Sequence, residues 1–157
     1  LSVGDRPTLI QANPSSEIAV ALCEGSQEIA LIQPTAPVED QVRLIRIATG
    51  GFNTMKLSPM SQYVVSYFDA KLALEVATSM SSLNGDPHSI SIIHVDTGRV
   101  VNLSVSYDVH DVYFSENEAL LTVITEDYLH SIKLGAVRSG KVLPLLPQTL
   151  LAQMADN

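Results

Sequence analysis

The chain has 157 residues, of which 46% are hydrophobic and 17% are charged. This composition excludes a disordered chain and provides enough apolar material for one domain with a buried core. Acidic residues outnumber basic residues by 17 to 9, which gives a net charge of −8. Because a negative field repels polyanions and the sequence shows no basic patch, we expect no nucleic-acid partner.

Two further features narrow the class of protein. The longest apolar run is six residues, too short for a membrane span, so none is expected. The chain starts at Leu1 rather than Met, which is compatible with a trimmed N-terminus and leaves the compartment open, with the cytoplasm favoured. The single cysteine, Cys23, excludes an internal disulfide framework, and its apolar neighbours predict a buried, inert thiol.

In chain order, β-branched and alternating runs predict short strands separated by turn-forming residues. The first unit has strands at 8–12, 17–23, 28–33 and 41–47. The second has strands at 52–57, 63–68, 89–95 and 100–105, and the third at 109–114, 119–125, 128–134 and 142–146. Pro34 and Pro37 mark a surface connection in the first unit, because proline does not fit a central strand.

Other segments are less regular. Residues 71–77 suit a short helix by propensity or a strand by apolar alternation, and we predict an extended strand. Loops are predicted at 79–87 and 135–140. Residues 147–157 are either a short helix or a frayed tail.

The first hairpin of each unit repeats a common pattern. Aligning Ala12, Leu57 and Phe114 places a polar turn and a following apolar run at the same positions, with offsets of 45 and 57 residues. Four strands in a period of about 40 to 50 residues are typical of propeller blades. We therefore predict one all-β domain over residues 1–157, with three four-stranded antiparallel units at about 8–48, 52–105 and 109–147, followed by a tail at 148–157.

Three stretches resemble β-propeller repeat proteins, broadly of the WD-repeat kind: Met55 to Met60, Ser91 to Val100 and Val112 to Asn117. The first and third are similar to the strand and turn of a blade, and the second is similar to the hairpin that follows. The Trp-Asp signature is absent, since Ile93-His94 occupies its place, and so is the usual Gly-His pair. The resemblance implies blade-like units over about residues 8–147.

Ring closure limits how such units can assemble. Propellers usually have four to eight blades, and three units leave sheet edges that must be covered. We therefore expect a partial propeller or one completed by a protein partner or by self-association, for which two copies forming a six-bladed ring is a specific case. The alternative fold is a β-sandwich.

The sequence shows no motif of a catalytic or metal centre. The four histidines, His88, His94, His110 and His130, have neither the spacing of a helical metal pair nor a cysteine partner. No Gly-x-Ser-x-Gly occurs, and Gly50-Gly51 lacks the lysine of a phosphate loop. We expect structural histidines, no metal, no cofactor and no enzymatic activity.

The function predicted from these features is that of a non-catalytic scaffold or protein–protein interaction module, in the simplest case a subunit or fragment of a larger assembly. The alternative is a ligand-binding or hydrolytic propeller whose site gathers from loops at one end of the ring. The insertion at 69–88 is the predicted partner-contact loop. Its candidate contact residues are Ser79, Met80, Leu83, Asn84, Asp86 and His88.

Overall fold

A computed structural model describes residues 3–47, 51–76, 85–140 and 147–148 of the chain. These residues form three antiparallel sheets of four strands each, and within each sheet the strands pair in chain order. Sheet 1 contains β1 (Pro7–Asn13), β2 (Ile18–Cys23), β3 (Glu28–Ile32) and β4 (Val42–Arg46). Sheet 2 contains β5 (Thr54–Leu57), β6 (Tyr63–Tyr67), β7 (Ser89–His94) and β8 (Arg99–Ser104). Sheet 3 contains β9 (Val109–Phe114), β10 (Leu120–Thr125), β11 (Leu129–Lys133) and β12 (Pro147–Gln148).

The first hairpins of sheets 2 and 3 have the same hydrogen bonds at equivalent positions. The backbone N–H of Ser58 donates to Tyr63, and that of Ser115 donates to Leu120. The serine hydroxyls accept from the same residues, at 2.9 Å from Tyr63 N and 3.0 Å from Leu120 N. A short polar side chain that bonds nearby backbone explains why the predicted turns form where serine stands.

Two separate cores lie between the sheets. One joins sheets 1 and 2 through residues such as Leu22, Ile29 and Val64, and the other joins sheets 2 and 3 through residues such as Val65, Ile92 and Val123. Strand β6 is buried at all five positions because a sheet covers each of its faces. Three sheets stacked in series differ from the single pair of facing sheets that a sandwich requires.

Two segments predicted as strand or loop are helical. Residues Ala70–Val76 form α1, where a strand was predicted, because the Asp69 carboxylate caps the backbone N–H groups of Lys71 and Leu72 at 2.8 and 3.1 Å. Leu134–Ser139 forms α2, where a loop was predicted, and Gly140 ends it in the left-handed conformation at φ 70°.

Some predicted elements fall outside the described residues. These are the closing strand at 142–146, the Gly50 position, residues 79–84 of the loop predicted at 79–87, and the tail beyond residue 148. Within the described residues, no helix is long and apolar enough to cross a membrane.

Candidate functional site

The first strands of successive sheets are linked directly, β1 to β5 and β5 to β9. The Gln11 side chain donates to Met55 O at 2.9 Å and accepts from Leu57 N at 2.7 Å. Lys56, at the equivalent repeat position, donates to Val112 O at 3.0 Å. Since blades converge toward the axis of a propeller, strands this close are the innermost, and we call β1, β5 and β9 the inner strands.

A charged cluster lies between inner strands β5 and β9. Lys56 Nζ is 2.5 Å from Asp111 Oδ1, and the two side chains are 34% and 32% exposed. The Tyr67 hydroxyl donates to the same carboxylate oxygen at 3.3 Å, and Lys56 lies 4.7 Å from the centre of the Tyr113 ring. The cluster thus presents an ammonium, a carboxylate and the Tyr113 phenol to the inner surface, whereas the Tyr67 side chain is buried.

The environment fixes the charge states of this cluster. Burial opposes ionisation of Asp111, but hydrogen bonds from Lys56, Tyr113 and the Val112 N–H outweigh it and lower the pKa of that carboxyl. Burial and then the Asp111 charge raise the pKa of Tyr67. At neutral pH the carboxylate is therefore charged and Tyr67 is a neutral hydrogen-bond donor. Such a set can orient a polar ligand or hold a proton.

A pocket of about 370 Å³ opens at the hairpin end of β1 and β5. Asn13 shapes its wall by donating to Pro59 O at 2.7 Å and to Ser61 Oγ at 2.9 Å. Its lining residues are Gln11, Ala12, Asn13, Pro14, Leu57, Ser58 and Pro59. Sequence reasoning missed this pocket, although aligning the repeats would have shown that Gln11 and Lys56 occupy one repeat position.

Of the predicted partner-contact residues, Asp86 and His88 are described, whereas Ser79, Met80, Leu83 and Asn84 lie outside the described residues. Asp86 accepts from the Ser89 hydroxyl and from the His88 N–H, and these bonds lower the pKa of its carboxyl. His88 Nε2 lies 2.9 Å from Asp108 Oδ1, and both side chains are about half exposed. The end of the insertion is thereby fixed to the connection between sheets 2 and 3, and partner contact there stays a prediction.

Helix α1 presents apolar side chains next to that segment. Leu74 is 66% exposed and Leu72 is 37% exposed, whereas Ala73 is buried in the core between sheets 1 and 2. The sequence interpretation missed this surface because it treated residues 71–77 as a strand.

The surroundings of the remaining histidines and of the cysteine indicate structural roles. His94 is buried, lies 2.9 Å from the Thr97 hydroxyl and has a pKa lowered by burial. His130 is buried with neither ring nitrogen bonded to any described residue, and burial lowers its pKa, while His110 is exposed. Cys23 is fully buried, and burial, then Glu28, raise the pKa of its thiol. Within the described residues, no three potential ligands gather around a metal position.

Comparison with known proteins identifies the fold. No family model matches the chain, and no curated protein matches it. Among solved structures it is similar to Hsv2 of Kluyvelomyces marxianus, at 16% identity and a TM-score of 0.54 over 80% of this chain and 34% of that one. It is also similar to a eukaryotic initiation factor, at 10% identity and a TM-score of 0.58 over 88% of this chain and 32% of that one. The fold is a β-propeller.

A third similar structure is a Bacteroides fragilis protein proposed as a 6-phosphogluconolactonase, at 12% identity and a TM-score of 0.55, covering 90% of this chain and 37% of that one. The chain thus spans about a third of the length of these structures. At these identities the likeness establishes the fold alone. The predicted propeller architecture is confirmed, whereas membership of the WD-repeat family is not shown.

The prediction that the chain is not an enzyme was wrong. It rested on the absence of a linear motif, and the fold is shared with a protein proposed as a hydrolase. Propeller sites gather residues from several strands and loops, as Lys56, Tyr67 and Asp111 do here, so the absence of a motif has no weight.

Proposed function

We propose that the chain is a propeller-type scaffold for protein–protein interaction, and that its partner-contact region combines α1 with the predicted contact residues at 79–88. The observation that carries this proposal is the exposure of Leu72 and Leu74 on a helix inserted between two adjacent strands of the central sheet. In sheets 1 and 3 the equivalent connections are short turns. Insertions of this kind on a rigid scaffold commonly carry recognition.

The base of the insertion is rigid. Asn53 donates from its side chain to Asp69 O at 3.0 Å and accepts from Asp69 N at 2.7 Å. Asp69 in turn caps α1, and Ala73 fixes one side of the helix in the core. Leu72 and Leu74 are therefore held outward in a defined position. Fully burying an exposed leucine contributes about 1.5–3 kcal/mol, and Leu74, which is 66% exposed, can supply the larger part of that.

The test is quantitative capture of partners by the immobilised chain, compared across variants. Leu74→Asp is expected to lower capture at least tenfold, while the matched variant Val38→Asp, at an exposed site at the opposite end of the strands, is expected to capture normally. Deleting residues 78–87 should also abolish capture with little change in melting temperature. Unchanged capture by both Leu74→Asp and the deletion would reject this role.

A second candidate function is binding or hydrolysis of a small polar ligand at the inner strands. It is supported by the Lys56–Asp111 cluster and the nearby pocket, and by the likeness to a protein proposed as a lactonase. A suitable probe is 6-phosphogluconate in a thermal-shift assay, because ligand at one hundred times its Kd stabilises the folded state by about 2.7 kcal/mol. A shift that disappears in Lys56→Met supports this function, and no shift in the wild type contradicts it.

We also propose that the sheets are WD-repeat-like blades. The Thr97-Gly98 turn supports this assignment, since Thr97 bonds His94 across it, with His94 at the place of the missing signature aspartate.

A further inference from the structure

The contacts between successive sheets have a constant direction at the inner strands. Gln11 of sheet 1 reaches the Met55 carbonyl of sheet 2, and Lys56 of sheet 2 reaches the equivalent Val112 carbonyl of sheet 3. Tyr113 occupies the same position in sheet 3 and is 54% exposed. At this position of the two described interfaces, the earlier sheet supplies the side chain and the later sheet supplies the backbone carbonyl.

A second pair of contacts, from the fourth strands β4 and β8, also runs from the earlier sheet to the later one. Arg43 of sheet 1 donates to Asp96 O at 3.1 Å, and Arg99 of sheet 2 donates to Arg138 O at 2.6 Å. Both acceptor carbonyls lie two residues before a glycine of positive φ, in the connection between the third and fourth strands of the next sheet. The connection at this end of each later sheet therefore receives a basic side chain from the earlier sheet.

Each later sheet has one face that packs on the sheet before it. On the corresponding face of sheet 1, one repeat position is exposed that is buried in sheets 2 and 3. Met55 and Val112 are each 0% exposed, but Ile10, at the same repeat position, is 64% exposed. Leu44 on the same face is 44% exposed. Sheet 1 thus leaves exposed, at Ile10, an apolar position that sheets 2 and 3 bury, although Ala21 and Ala30 on the same face are buried.

Within the described residues, sheet 3 has a complementary exposed face on the side away from sheet 2. Leu120 is 40% exposed on the side of β10 that points away from sheet 2, and Ile124 and Leu129 are half-buried on that side. Its exposed Lys133 precedes the connection between the third and fourth strands. The equivalent connection of sheet 1 carries the exposed acidic residues of the 3₁₀ turn Val38–Asp40.

We propose that the occupant of these faces is a second copy of this chain, with sheet 3 of each copy packing on sheet 1 of the other to close a six-bladed ring. Six lies within the usual range of four to eight blades. The charges fit a second copy of this chain, because in this arrangement basic Lys133 of one copy would lie at the same end of the sheets as acidic Glu39 and Asp40 of the other. In the two described interfaces, the connection between the third and fourth strands of the later sheet already accepts a hydrogen bond from an arginine of the earlier sheet. This interface is separate from the α1 surface.

The experiment is measurement of the solution mass of the full chain by light scattering across a concentration series. We expect twice the chain mass for the wild type and for Leu74→Asp. Ile10→Asp and Leu120→Asp, each introducing a charge at an exposed site, should weaken dimerisation at least tenfold while retaining the circular dichroism of the wild type. Lys133→Glu should also weaken it, and adding Glu39→Lys should restore it.

Each outcome decides the proposal. A monomer at every concentration overturns it, as does a dimer that survives Ile10→Asp. A dimer that is lost in Ile10→Asp but kept in Leu120→Asp would join two copies through sheet 1 alone, and that result also overturns the head-to-tail ring. Loss of partner capture in Leu74→Asp without loss of the dimer separates this inference from the proposed partner-contact role.

Discussion

The contrast between Met55 and Ile10 makes a quantitative prediction about the fold, because the two residues occupy one repeat position. Met55 is fully buried in the core between sheets 1 and 2, so Met55→Ala removes its packing and leaves a cavity. Such truncations destabilise by about 2–5 kcal/mol. Ile10 is 64% exposed in the single chain, so Ile10→Ala should change the free energy of unfolding by about 0.5 kcal/mol or less.

The assay is urea denaturation followed by circular dichroism, at a chain concentration where the wild type is monomeric, with the slope of each transition checked for constancy. For a domain of this size, the Met55→Ala loss should also lower Tm by several degrees. The reasoning is refuted if the two variants lose equal stability, since the alignment of β1 with β5 would then not describe their environments. Repeating Ile10→Ala at high concentration adds a check, because a dimer would make its effect depend on concentration.

Two further predictions concern pH and backbone conformation. Burial lowers the folded-state pKa of His130 below its ordinary value of 6.5, so its contribution to stability is present above that value and is lost as pH falls through it. His130→Leu should therefore flatten the dependence of Tm on pH below about 6.5. Gly140→Ala should destabilise by about 1–2 kcal/mol, because φ is 70° and a Cβ would lie 3.0 Å from Arg99 Nη1. Gly135→Ala, in open space within α2, should instead stabilise by about 0.5–1 kcal/mol, and urea melts showing the same sign for both glycine variants would contradict this account.

The strands and hairpins could be predicted from the sequence because their determinants are local. Ser58 and Ser115 bond backbone five residues away, and such turns leave a visible pattern of polar residues between apolar runs. Helix α1 could not be assigned in the same way, since its residues suit a helix and a strand equally. The Asp69 cap and the burial of Ala73 in the core between sheets 1 and 2 decide it, and the second of these is tertiary.

The candidate site was less accessible to sequence reasoning because its contacts join distant parts of the chain. Lys56 and Asp111 are 55 residues apart, and Gln11 and Met55 are 44 apart, so neither pair forms a linear motif. The repeat offers the missing signal, since it assigns Gln11, Lys56 and Tyr113 to one position. That alignment identifies which residues can meet, but it does not specify which of them pair or how deeply they are buried.

The difference in burial between sheet 2 and sheets 1 and 3 indicates which sheet faces are available for contact with another blade. Its strand β6 is buried at every position because a neighbouring sheet lies on each side, whereas sheets 1 and 3 each have a described neighbour on one side only. Sheet 1 nevertheless keeps Ile10 and Leu44 apolar on its outer face, and exposed apolar side chains confer no stability on a single chain. A sheet meant only to end the array would be expected to carry polar residues there, as terminal repeats of solenoids do. The apolar character of that face is therefore an argument for contact with another blade, and sheet 3, with Leu120 and Ile124 beside Thr122, has the mixed surface of an interface that forms after folding.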